Sequence, residues 1–210
     1  MLRSSRYIQL TLDNSGWFSW SMQTRVTLEI RDFSKGIEYA PVERDTPRNS
    51  NHGFRNVKGR PDEALLIPEL QYNEILKNAI LAISDRLTGF FTMGCDQSLN
   101  EENGLHWMRG FIELAFNHRD LIVDAQSYFK LFFDFNFAVF DNNFDLPVTF
   151  SWQLEGAELG DLRGFSVAIW ITTADLKDAS TAQQVWEASV QFLTQFLRSV
   201  PTWRGSAPIY

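Results

Sequence analysis

The sequence predicts an α+β protein, a two-layer sandwich in which a bent antiparallel sheet (an N-terminal hairpin plus a four-strand meander) is covered on its apolar face by two helices. Three observations lead there. Several stretches alternate apolar with polar residues, the period of a strand with one buried face. Two others, near 68–87 and 181–200, repeat apolar residues every three or four positions, as an amphipathic helix does. Four strand-like segments from 105 onward follow one another without room for crossover helices, so neighbours are expected to run antiparallel.

Tyr7 to Leu12 alternates through Ile8, Leu10 and Leu12. After Asn14-Ser15-Gly16 the alternation resumes through Phe18, Trp20, Met22, Thr24, Val26, Leu28 and Ile30, which reads as a hairpin. Its second arm is long for a strand, so a bulge or bend is expected near Met22 to Thr24. Residues 33–66 carry Pro41, Pro47, Pro61, Gly36, Gly53 and Gly59 and keep no lasting period, so they read as a long irregular loop. Ile37, Tyr39, Val42, Phe54 and Val57 would let that loop lie on the protein.

Pro68 opens a predicted helix whose face is Tyr72, Ile75, Leu76, Ala79, Ile80, Ile83 and Leu87, with Gly89 as its stop. Phe90 to Met93 reads as a short strand or turn, and 98–104 as a polar loop. Leu105 to Asn117 is predicted as a strand, with Met108, Ile112, Leu114 and Phe116 on one face and Arg109 and Glu113 on the other.

Tyr128 to Phe140, YFKLFFDFNFAVF, is predicted as the central strand. Phe129, Leu131, Phe133, Phe135, Phe137 and Val139 would form its core face, with Lys130, Phe132, Asp134 and Asn136 opposite. A helix would spread the phenylalanines around its circumference and leave Asp134 and Asn136 in an apolar belt. Asp141-Asn142-Asn143 turns the chain, and Val148, Phe150, Trp152 and Leu154 mark the next strand. Residues 156–164 connect it to Phe165, Val167, Ile169 and Ile171, where Trp170 takes the opposite face. The last element is a helix from about Thr181 to Val200, with Ser180 and Gln183 at capping-box spacing and Pro201 ending it.

One domain of 210 residues is long enough to bury a core without staples. Its 7 Trp and 18 Phe exceed ordinary usage, and aromatic residues serve both cores and interfaces. Cys95 stands alone, which excludes an internal disulfide and suits a reducing compartment. No apolar run has signal-peptide or membrane-span length, so a cytoplasmic location is expected, with no membrane partner.

The net charge of −7 is uneven. Residues 44–60 hold five Lys or Arg against Asp45, whereas residues 94–178 hold 14 acids against 5 bases. Such a field disfavours nucleic acid and favours a basic partner, although the same acids also keep an aromatic-rich protein soluble.

No phosphate-binding glycine loop, dinucleotide fingerprint, nucleophile elbow, HExxH or EF-hand loop occurs, so no cofactor is expected. Weaker constellations remain. Cys95 could be activated by His106 or His118, or be an inert buried thiol. His118, Asp120 and Asp124 could share a metal, or Asp120 could cap a helical turn. Glu113 and Asp134 could form a carboxylate pair on neighbouring strands, or ion pairs to Arg109 and Lys130. Arg44, Arg48, His52, Arg55, Lys58 and Arg60 could bind phosphate, or dock on the protein's own acids.

The function expected is non-enzymatic: an acidic, aromatic surface of Trp107, Glu113, Phe132, Asp134, Asn136 and Trp170 that occludes a basic partner protein. In composition and architecture the chain is similar, as a class, to bacterial immunity proteins and secretion chaperones. The alternative is a small-molecule-binding protein or enzyme with a pocket between the sheet and the loop 33–66.

Overall fold

The computed structural model describes residues 10–11, 23–41, 52–201 and 207–210. In chain order the elements are β1 (Leu10–Thr11), β2 (Arg25–Gly36), α1 (Glu74–Ile83), β3 (Phe90–Glu102), β4 (Leu105–Phe116), a short α2 (Arg119–Ile122), α3 (Ala125–Asp141), β5 (Val148–Leu159), β6 (Leu162–Thr173) and α4 (Ala179–Ser199). The α+β sandwich holds: one mixed sheet packs against helices. Strand order is β1-β2-β5-β6-β4-β3. Every neighbouring pair is antiparallel except β2 and β5, so the sheet is not wholly antiparallel. Parallel neighbours need a long crossover, and here it holds α1, the β3–β4 hairpin and α3.

The main correction concerns residues 128–140, which are helix and not the central strand. Asp124 caps α3 by accepting from the Gln126 backbone N–H at 3.0 Å. Tyr128, Leu131, Phe132 and Phe135 are buried, the i, i+3, i+4, i+7 set of one helix face. The alternation is real in the sequence, but its odd positions divide: Phe135 is buried while Phe133 and Phe137 are exposed. Asp134 escapes the apolar belt by pairing with Lys130 one turn earlier, 2.5 Å away.

One strand takes its place in the sheet: the short segment expected at Phe90 to Met93 extends to Glu102 as β3. β3 runs through the predicted polar loop at 98–104, and the hairpin closes on Asn103 and Gly104, both at positive φ. Asn-Gly is the strongest short hairpin signal. The connection expected over 156–164 shrinks to Gly160-Asp161, because β5 and β6 pair out to Leu159 and Leu162. β1 does pair antiparallel with β2, as a hairpin requires, while its predicted Asn14-Ser15-Gly16 turn lies outside the described residues. β2 has an irregularity between Ile30 and Ser34, while the bend expected near Met22 to Thr24 falls in part outside the described residues.

Helix boundaries shift for local reasons. Pro61–Leu66 and Pro68–Leu70 form 3₁₀ turns, and α1 begins at Glu74, where the Asn73 side chain accepts from the Leu76 N–H at 2.8 Å. Tyr72 and Leu87 therefore sit outside the helix and are exposed. The cap of α4 is Asp178, which accepts from the Thr181 N–H and hydroxyl, and not Ser180.

α1, α3 and α4 cover one face of the sheet. Phe135 packs against Phe150 and Trp152 of β5 and Phe192 and Phe196 of α4. Trp186 of α4 donates to the Ile171 carbonyl across the position of Gly110, where any Cβ would come within 2.7 Å of its ring.

Candidate functional site

The other face of the sheet carries the predicted polar and aromatic row. Trp170 of β6 lies beside Phe111 of β4, ring centroids 4.7 Å apart, and under the guanidinium of Arg109 at 4.5 Å. Its indole N–H donates to Gln153 Oε1 at 2.9 Å, and Gln153 in turn donates to Glu29 Oε2 at 3.1 Å. Trp107 and Trp170 are half-buried on this side and are not core on the helix side. Trp170 is nonetheless a tied member of the sheet face.

Glu113, on the same face, is 4% exposed, and so is Glu155 on β5. Lys35 lies between them, with Nζ against Glu113 Oε1 and 2.9 Å from Glu155 Oε1, while the Ser166 hydroxyl donates to Glu113 at 3.2 Å. Burial pushes the Glu113 carboxyl up, and Lys35 opposes this. For Lys35 burial acts downward, but the two carboxylates outweigh it and hold the ammonium above its ordinary value. The expected ion pair of Glu113 with Arg109 gives way to this triad. Lys35 comes from the end of β2, 78 positions away in sequence, reached only after the β2 irregularity.

Phe132, Asp134 and Asn136 lie on α3, on the opposite side of the sheet from Glu113 and Trp170. The six predicted residues therefore do not form one surface. Phe132 is buried against Trp152. Asp134 is part of a different feature: Phe133, Phe137 and Phe140 are 39%, 61% and 68% exposed at spacings of four and three, one outward stripe of α3. The segment 119–145 around it holds five acids (Asp120, Asp124, Asp134, Asp141, Asp145) against Arg119 and Lys130. The alternation of the phenylalanines hid this stripe, which a helical projection of the same residues brings out.

A cavity of about 210 Å³ lies along the open edge of β3. Its walls come from Tyr39, from His52, Gly53, Arg55 and Val57, from Ile67 between the 3₁₀ turns and Glu69 within the second, and from Thr92 to Asp96 and Phe111 of the sheet. Residues 33–36 of the predicted loop belong to β2, and the rest lies on the protein where it is described. Tyr39 donates to the Met93 carbonyl at 3.1 Å, and the Phe54 N–H donates to the Tyr39 carbonyl at 3.0 Å. Of the predicted pocket residues Phe111, Glu113, Phe132, Asp134 and Asn136, only Phe111 lines it.

Three of that loop's basic residues lie against the protein's own groups. Arg55 lies 3.6 Å from Glu63, and His52 3.7 Å from Glu69. Lys58 donates to the carbonyls of Asp85 and Thr88 and the Thr88 hydroxyl at 2.6–2.9 Å, and burial lowers its ammonium to about 8. Arg44 and Arg48 lie outside the described residues. Burial pushes the Cys95 thiol far up, away from a nucleophile's range. His118 is the residue before α2, and no group of three His, Cys, Asp or Glu among the described residues is placed to hold a metal ion.

The chain has no match among protein-family models, characterised proteins or solved structures. No described helix is long and apolar enough to cross a membrane.

Proposed function

We propose that this chain is a protein-binding domain whose contact surface is the outer face of α3, and that its partner presents basic residues around an apolar stripe. The observation that carries this is the row of Phe133, Phe137 and Phe140, exposed on one helix face amid a net acidic segment. Three large aromatic rings exposed on one stripe are apolar surface that the described part of the fold does not use. Covering them would contribute part of the roughly 1.5–3 kcal/mol that full burial of such a side chain supplies, least at Phe133. Asp134, Asp141 and Asp145 would steer a basic segment toward that stripe, and an amphipathic helix laid along it matches the spacing. Immunity proteins and secretion chaperones act in this way, by occupying a partner's surface.

The test is titration of the full chain with an amphipathic Leu/Lys helical peptide and its Leu/Glu counterpart. The Leu/Lys peptide is expected to bind with an association rate that falls as salt rises. Phe137→Ser should mainly speed dissociation, and Asp141→Lys should mainly slow association. Equal binding of the two peptides, or binding of neither, would overturn the reading. Self-association that Phe137→Ser abolishes would assign the stripe to a second copy of the chain instead.

A further inference from the structure

We infer that the cavity on the edge of β3 is a binding site for a small zwitterion, a molecule of amino-acid size carrying one carboxylate and one ammonium group. The cavity's 210 Å³ is below the roughly 300–1,000 Å³ of sites for drug-sized ligands, so its occupant is smaller. Three separate segments close it: Tyr39, residues 52–57 with Ile67 and Glu69, and β3. An edge strand offers backbone groups to such a space, and of these the Met93 carbonyl is already taken by Tyr39.

Opposite charges meet in the lining. Arg55 and His52 come from the loop side, and Glu69 and Asp96 supply carboxylates, with Glu113 behind the wall at Gly94. The Arg55 Nε–H is shielded from solvent and finds no acceptor among the described residues, and its Nη1 is 3.6 Å from Glu63, too far for a hydrogen bond. The exposed part of the Arg55 guanidinium therefore brings N–H donors to the lining that Glu63 does not take up, and a ligand carboxylate would accept from them. The two carboxylates of the lining favour an ammonium group on the same ligand and disfavour a dianion such as phosphate. Phe111, Met93, Ile67 and Val57 leave an apolar wall for a side chain. Binding is non-covalent, since burial pushes the thiol of the half-buried Cys95 up and away from a nucleophile's range. The site is independent of the α3 stripe and stands or falls without it.

Thermal unfolding and calorimetric titration of the full chain would use the free L-amino acids singly at millimolar concentration. Matched monocarboxylates, simple alkylamines and inorganic phosphate serve as controls. At least one amino acid should raise the unfolding midpoint, and the single-charge controls and phosphate should not. Arg55→Gln and Asp96→Asn should each weaken that binding by roughly tenfold or more, the factor one charge-assisted hydrogen bond supplies. Gly94→Ala guards against simple misfolding: its Cβ would meet Glu113, Phe111 and Tyr39 at 3.4–3.8 Å, ordinary contacts, while narrowing the wall, so the variant should fold and bind less well. The proposal is overturned if no amino acid shifts the midpoint, if alkylamines or phosphate alone do, or if Arg55→Gln and Gly94→Ala both bind as the parent does.

Discussion

The ammonium of Lys35 lies 2.9 Å from the carboxylate of Glu155 and also touches Glu113, so one cation holds two buried anions together on the face of the sheet opposite α1, α3 and α4. Removing it as Lys35→Met leaves those carboxylates facing each other with little solvent. The expected loss is roughly 3–5 kcal/mol at neutral pH, because breaking a buried pair strands a charge. The sign of its pH dependence follows from Glu113, whose carboxyl is already raised in the fold. As pH falls through that raised range toward the ordinary carboxylate value, the folded variant takes up a proton that the unfolded chain does not, so the deficit should shrink. Urea unfolding of both proteins across acid pH measures this, and a deficit that stays constant would contradict it.

Phe135 and Phe137 should behave oppositely although both are odd positions of the same alternating run. Phe135 touches four other rings and is fully buried, so Phe135→Ala should cost roughly 3–5 kcal/mol. Phe137 is 61% exposed, so Phe137→Ala should stay within about 0.5 kcal/mol. Equal losses in denaturant melts would restore the strand reading.

Gly110 leaves no room for a side chain: a Cβ there would lie 2.5 Å from the Asp96 carbonyl and 2.7 Å from the Trp186 ring. Gly110→Ala should therefore destabilise by roughly 1–3 kcal/mol and alter the near-ultraviolet tryptophan signal. Gly36→Ala, where a Cβ meets nothing within 4 Å, is the matched control and should be close to neutral.

Lys58 gives a pH signature in the opposite range. Its folded value is about 8 against 10.5 ordinarily, so between those values the unfolded chain binds more protons than the folded one. Its contribution to stability should accordingly rise with pH from 8 to 10.5, and Lys58→Met should abolish that rise. Comparing the two proteins by urea unfolding isolates this contribution from the other groups that titrate there. Parallel stability curves would refute it.

Much of the fold was legible where a pattern and its burial are both local. Val148, Phe150, Trp152 and Leu154 alternate and are buried, as are Val167, Ile169 and Ile171, with Trp170 on the other face as expected. In α4 the residues at three-and-four spacing, Trp186, Ser189, Leu193 and Leu197, are the ones that are buried. The β3–β4 turn was also written in the chain, as Asn103-Gly104, but acidic neighbours disguised it as a loop.

The candidate sites were less legible. Glu113 and Trp170 were placed on one face by alternation, yet their partners Lys35 and Gln153 come from other strands, and register is a tertiary property.

By itself, then, the sequence determined an α+β sandwich, the inner faces of β4, β5 and β6, and the amphipathic last helix, because side-chain period and burial agree there. Only the tertiary structure decided that 128–140 is a helix, that β2 lies parallel to β5, and that Lys35 joins Glu113 to Glu155. The reason is physical. A run as rich in phenylalanine as Tyr128 to Phe140 offers an apolar face in either period, so its conformation is chosen by which surface lies beneath it: here Phe150 and Trp152 of β5 bury Phe132 and Phe135 and leave Phe133, Phe137 and Phe140 exposed.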